Sequence, residues 1–205
     1  MKTYREILGN QEFLKKHKDA VDESLTFDQE PVVKIAEPYR EKFSDIDGRT
    51  AEEMELIKKY YLNPCGFFLM AGGNGTGKTF IAKVIYYKFA TFTLPQYDYD
   101  EAFFINQPGL NHSWLHEEMN NLLYILKTTK LLVLDDIGTR TPTDAFMDFL
   151  YFIMDYRWTY RAKLGTVITT NLNSSMMREQ LGDAFFSRVT SGICMRIDGE
   201  DRRSF

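Results

Sequence analysis

One stretch limits what this chain can fold into more than any other: Met70 to Phe80, which reads M-A-G-G-N-G-T-G-K-T-F. An apolar run, Cys65-Gly66-Phe67-Phe68-Leu69, leads into it, and an apolar-periodic segment from Ile81 to Phe92 follows. Gly72, Gly77, Lys78 and Thr79 occupy every fixed position of G-x-x-x-x-G-K-[ST]. Glycines let the backbone curl until successive N–H groups point inward, which makes a concavity for anions. The helix that follows aims the positive end of its dipole at the same place. Gly72, Gly73, Asn74, Gly75, Thr76, Gly77, Lys78, Thr79 and Phe80 therefore form a candidate loop for the phosphates of ATP. Lys78 is placed to reach the β- and γ-phosphates, and the Thr79 hydroxyl to ligate Mg²⁺.

A loop of this kind needs a strand before it and a helix after it, and the rest of the chain repeats that alternation. Thr50, with Glu53 three residues on, predicts a capping box for a helix to about Leu62, stopped by Asn63-Pro64. Residues 65–70 are apolar without alternation, as in a strand covered on both faces. Thr91 to Glu101 reads as an exposed loop, Ala102 to Ile105 as a short strand, and Asn111 to Lys127 as one amphipathic helix that includes Leu115 and Met119. Leu131 to Leu134 is a third strand, and a helix capped by Thr143 or Asp144 runs to about Arg161. Thr166 to Thr170 is a fourth strand, short helices follow at Ser174 to Leu181 and Asp183 to Val189, and Ile193 to Ile197 is a fifth strand. The expected fold class is α/β, with a central five-stranded, mainly parallel sheet flanked by helices. The sequence divides into residues 1–31, an N-terminal helical docking segment with an acidic linker, and residues 32–205, the catalytic domain.

Composition excludes several other classes. The longest apolar runs fall well short of the ~20 residues of a membrane span, and the N-terminus Met-Lys-Thr-Tyr-Arg-Glu is not a signal peptide, so a cytoplasmic protein without a membrane partner is expected. The two cysteines, Cys65 and Cys194, sit in apolar runs and read as buried thiols. Net charge is −4, but residues 156–205 carry 8 basic and 5 acidic side chains, an excess suited to phosphate, to a neighbouring subunit or simply to a solvated face.

Two further strand ends bring polar groups to the edge where an open α/β sheet binds ligands. Leu131-Leu132-Val133-Leu134 ends in Asp135-Asp136. Asp135 is the candidate second Mg²⁺ ligand, opposite Thr79, and Asp136 is placed to orient the attacking water. Val167-Ile168-Thr169-Thr170 ends in Asn171, whose amide either meets the γ-phosphate or caps the helix near Ser174. Seven aromatics crowd the helix before it, from Phe146 to Tyr160. They read mostly as packing, with an exposed subset around Trp158, Arg157 and Arg161 able to stack on bases.

In order, G-G-N-G-T-G-K-T, L-L-V-L-D-D-I-G, I-M-D-Y-R-W and V-I-T-T-N-L resemble the DnaC/DnaI/IstB-like group of AAA+ ATPases over roughly residues 40–203. The resemblance implies an ASCE-type P-loop NTPase in which Lys78, Thr79 and Asp135 are the Walker residues and Asn171 the sensor I residue. Phe185-Phe186-Ser187-Arg188 resembles the segment that carries the arginine finger, so Arg188 either reaches a neighbour's nucleotide in a homo-oligomer or stays an intrachain surface arginine. Gly199-Glu200-Asp201-Arg202-Arg203 resembles the family's C-terminal G-x-S-x-R, which makes Arg203, or Arg202 beside it, a further phosphate sensor. Most AAA+ proteins place glutamate where this chain has Asp136, which points to slow turnover. Eight residues follow Ile197, too few for a C-terminal helical lid, so a neighbouring protomer is expected to complete the site. The function implied is that of a DNA-replication ATPase, its slow hydrolysis stimulated by DNA or oligomerisation, that loads a replicative helicase on single-stranded DNA. A transposition ATPase serving a transposase, and a weakly hydrolysing regulatory binding module, are the alternatives.

Overall fold

The computed structural model describes residues 42–89, 102–114 and 119–199. The expected docking segment 1–31, the loop at 91–101, Leu115, the Met119 side chain, Arg202 and Arg203 lie outside the described residues. Among the described residues no helix is long and apolar enough to cross a membrane.

The first α-helix among the described residues, α1 (Ala51–Leu62), starts as its sequence dictates: the Thr50 hydroxyl accepts from the Glu53 N–H, and the Glu53 carboxylate accepts from the Thr50 N–H. Then come β1 (Gly66–Gly72), α2 (Lys78–Phe89), β2 (Ala102–Asn106), α3 (Gln107–Trp114), α4 (Met119–Thr128) and β3 (Leu131–Asp135). The chain continues through α5 (Asp144–Thr159), β4 (Gly165–Thr170), α6 (Ser174–Val189) and β5 (Ile193–Ile197). The helix expected over 111–127 starts earlier, at Gln107, directly after β2; it is described as α3 up to Trp114 and as α4 from Met119, and residues 115–118 lie outside the described residues. The two helices expected after Asn171 meet in one element kinked at Gly182, whose φ of +80° no helix contains.

The five strands are all parallel, in the order β2-β3-β4-β1-β5. Strand β4 thus lies between the loop-bearing strand and the acid-bearing strand, and the C-terminal ends of β1, β3 and β4 share one edge. Successive residues point to opposite faces. Phe68 and Met70, with Val133 and Val167, pack under Ile57 and Tyr60 of α1 and Ile81, Val84 and Ile85 of α2. Phe67 and Leu69, with Leu132, Leu134 and Ile168, pack under α4, α5 and α6 through Leu126, Leu150, Ile153 and Phe185. Burying side chains of this size contributes roughly 1.5–3 kcal/mol each, which explains why the central strands show apolar runs without alternation.

The edge strand departs from the expectation for the thiols. Along β5 the pattern alternates, Met195 and Ile197 buried and Cys194 and Arg196 exposed, as in a strand covered on one face by the described residues. Cys194 is therefore exposed and Cys65 only half-buried; both are free thiols. Arg157 is corrected as well. It is not part of a surface patch beside Trp158 but fully buried, donating to the Leu126, Lys127, Thr129 and Gly165 carbonyls and to the Thr166 hydroxyl. Of the aromatics, Phe146 and Phe149 are core, whereas Phe152 and Tyr160 are exposed.

Candidate nucleotide-binding and hydrolysis site

The loop between β1 and α2 closes as its glycines require. A Cβ on Gly72 would collide with the Ile197 carbonyl of β5, and Gly77 has φ +91°, a left-handed conformation open to glycine. The loop ends at Lys78, the first residue of α2, so the helix N-terminus faces the loop's interior. The Lys78 side chain is 4% exposed and its ammonium donates to the Gly72 carbonyl at 2.9 Å and the Gly73 carbonyl at 2.6 Å. A cavity of about 410 Å³ opens here, lined by Asn74, Gly75, Thr76, Gly77, Lys78, Thr79 and Phe80 of the loop, with Asp136 and Asn171 across from them. Gly72 and Gly73 line a neighbouring cavity of about 350 Å³, which Asn171 also reaches.

Beside the loop, the Thr79 hydroxyl lies 3.0 and 3.2 Å from the two Asp135 carboxylate oxygens. Register explains the meeting: β4 separates β1 from β3, yet α2 folds back over β3 and carries Thr79 to the end of that strand. Burial pushes the Asp135 carboxyl above the usual aspartate range, and neighbouring Asp136 adds to this, while hydrogen bonds from Thr169 and Thr79 work against it. A hydroxyl and a carboxylate are hard oxygen donors of the type Mg²⁺ takes, and a cation there would relieve the cost of burying the charge. These residues fit the metal.

Asp136 has φ +55°, the left-handed region. Aspartate tolerates that conformation better than a longer side chain does, because its short polar group bonds locally. This is a physical reason for the shorter acid at this position. The Asp136 N–H donates to the Thr169 hydroxyl at 2.8 Å, and that hydroxyl donates to Asp135 Oδ1 at 2.6 Å. Thr169 thus ties both acids to β4. In the sequence Thr169 shows only as a strand residue, although a hydroxyl in an otherwise buried strand must find a partner.

The cap of α6 is Asn173, which accepts from the Met176 N–H at 2.9 Å, so Asn171 does not cap that helix. Instead the buried Asn171 Oδ1 is the one buried side-chain oxygen or nitrogen among the described residues without a hydrogen-bond partner. The opposite wall was missed entirely. Asp45, Ile46, Asp47 and Arg49 line the cavity, and the Arg49 guanidinium donates to the Thr76 carbonyl. In the sequence this segment shows only turn chemistry, and nothing in it marks a cavity wall.

Arg188 lies elsewhere. It sits near the end of α6, just before β5 begins, and so at the opposite edge of the sheet from the loop. There it pairs with Asp155 at 2.9 Å and donates to the Tyr151 hydroxyl at 2.9 Å, with its guanidinium over the Tyr151 and Trp158 rings.

A parallel sheet with a Gly-rich loop, a helix N-terminus, a lysine and a hydroxyl–carboxylate pair at one edge defines a P-loop nucleotide-binding protein. The sequence matches the model of the ATPase family associated with various cellular activities (AAA) over residues 68–193, and the chain belongs to that family. Solved structures share the fold. DnaA from Aquifex aeolicus bound to AMPPCP superposes with a TM-score of 0.63 at 14% identity, covering 77% of this chain and 50% of that one. The DnaC helicase loader gives 0.61 at 18% identity, covering 78% and 97%, and DnaI gives 0.59 at 20%, covering 78% and 90%. This chain thus spans about half the length of that DnaA structure and nearly all of the DnaI and DnaC structures. No curated protein matches the sequence.

Proposed function

We propose that this protein binds ATP with Mg²⁺, hydrolyses it slowly, and acts in DNA replication as a helicase loader that assembles on single-stranded DNA and binds a replicative helicase. The observation that carries the enzymatic part is the meeting of Lys78, Thr79, Asp136 and Asn171 around one cavity, with Asp135 behind Thr79. Lys78 and the loop amides hold the β- and γ-phosphates, and Thr79 and Asp135 hold the metal. Mg²⁺ bound there would neutralise phosphate charge as it develops. Asp136 orients the attacking water, and Asn171 meets either that water, through its unpartnered Oδ1, or the γ-phosphate, through its Nδ2 as donor. Arg203 is a further phosphate contact.

The loader assignment is supported by extent as well as fold: the two loader-type structures are matched over nearly their full length. In this assignment residues 1–31 dock the helicase and residues 32–205 form the ATPase domain. Arg188 is too far along the sheet to serve its own loop and acts on a neighbouring subunit's nucleotide, exchanging Asp155 for phosphate. Subunits of one homo-oligomer therefore share each site.

ATPase rates with and without single-stranded DNA test this. Arg188→Ala should lower the stimulated rate by about 10³-fold, and mixing it with Lys78→Ala subunits should restore part of it. No recovery at any mixing ratio would rule out action in trans. Retention of helicase binding and of biological effect by Lys78→Ala would replace the enzyme with a regulatory binding module.

A further inference from the structure

Gln107 is the first residue of α3 and is fully buried. Both ends of its amide engage the loop that follows the acid pair. Its Oε1 accepts from the Gly138 N–H at 2.8 Å, the Thr139 N–H at 3.0 Å and the Thr139 hydroxyl at 3.3 Å. Its Nε2 donates to the Arg140 carbonyl at 3.0 Å. A buried amide that makes four bonds to three consecutive residues fixes the backbone of that loop.

What the loop holds is Asp136. A non-glycine residue at φ +55° persists only where its surroundings over-determine it. On one side β4 does this, through the Asp136 N–H on the Thr169 hydroxyl and the Ile137 N–H on the Thr169 carbonyl at 2.9 Å. On the other side Gly138, at φ +91°, turns the chain so tightly that a Cβ would collide with Leu172, and Gln107 takes the next two N–H groups. Strand β4 and helix α3 clamp the catalytic acid between them. Leu110, fully buried, anchors α3 in the core one turn further on.

We infer that Gln107 is a positioning residue for hydrolysis: it holds residues 138–140 so that the Asp136 carboxylate stays at the cavity, and it makes that placement depend on α3. The inference rests on the proposal that Asp136 orients water. The hydrogen bonds of Gln107 go to residues 138–140, outside the phosphate loop, so its loss should act on turnover and leave nucleotide binding alone.

The test is steady-state ATPase kinetics together with fluorescent ATP-analogue titration of the full chain. Gln107→Met keeps the volume and removes all four bonds, and should lower kcat about 10-fold or more with nucleotide affinity within about twofold. Gln107→Glu restores the acceptor but sets a second oxygen against the Arg140 carbonyl, so it should recover part of the lost kcat, at least about threefold above Gln107→Met. In an Asp136→Asn background, Gln107→Met should cost less than about twofold further, since the group it positions is gone. Unchanged kcat in Gln107→Met, a parallel loss of affinity, or no recovery with Gln107→Glu would each overturn the inference. If Gln107→Met does not fold, Thr139→Val decides: it removes only the hydroxyl donor and must lower kcat at unchanged affinity. Absence of wild-type turnover would overturn the hydrolysis proposal itself, an outcome distinct from a wild type that turns over beside an unaffected Gln107→Met.

Discussion

The two edges of the sheet both bury polar side chains, and they do so under opposite conditions. At the N-terminal edge of the strands, Arg157 is fully buried and meets five oxygen acceptors from α4, β4 and the chain before β3. Burial lowers its guanidinium to about 9, which still leaves it charged at neutral pH. At the C-terminal edge, Asn171 carries an unpartnered oxygen, Asp135 is held above its usual range, and Asp136 is in a left-handed conformation. A polar group whose partners are all supplied by the fold stabilises the fold. One left with capacity beside a cavity is available to a ligand.

That contrast predicts a crossed pattern of effects. Arg157→Met should be the most damaging to folding, with about 3–5 kcal/mol lost in urea denaturation because a buried network is broken. A loss below about 1 kcal/mol would mean the N-terminal edge is not held as described. Lys78→Ala should act mainly on the ligand: about 100-fold weaker ATP binding, near 2.7 kcal/mol, with a smaller stability loss of about 1–2 kcal/mol because its ammonium also holds the Gly72 and Gly73 carbonyls. If Lys78→Ala unfolds the chain as readily as Arg157→Met, the distinction between the edges fails. The smallest effect concerns Tyr60, whose buried hydroxyl donates to the Gly66 carbonyl at 2.9 Å at the N-terminal edge. Tyr60→Phe should cost about 1 kcal/mol at neutral pH. Burial pushes the Tyr60 hydroxyl well above the usual tyrosine range. The unfolded chain therefore loses this proton first, and stability that is complete below about pH 10 falls as pH rises beyond it. Tyr60→Phe should flatten that alkaline decline in thermal melts; an unchanged slope would show that Tyr60 stays unionised for no energetic reason of the fold.

How much was legible varies from residue to residue. The strands and most helices could be read because their burial imposes long apolar runs or helical spacing, and the capping box at Thr50 is a purely local device. The start of α3 at Gln107 and the exposure of Cys194 could not be read, since each depends on the packing around the sheet. At the site, the nine-residue loop from Gly72 to Phe80 and the acid pair were visible as patterns. Thr169, Arg49 and Gln107 were not, because each acts through a partner more than 25 residues away in sequence.

Sequence alone determined that residues 72–79 form a glycine-rich loop between a strand and a helix, that Asp135-Asp136 ends a buried strand, and that the chain alternates strand and helix. These are consequences of local backbone freedom and of side-chain periodicity. Only the tertiary structure decided that Arg157 serves the fold, that Asn173 and not Asn171 caps α6, and that Asp136 is clamped from two sides. Those outcomes turn on which buried polar groups find partners, and that is settled by strand order and helix packing between residues far apart in the chain.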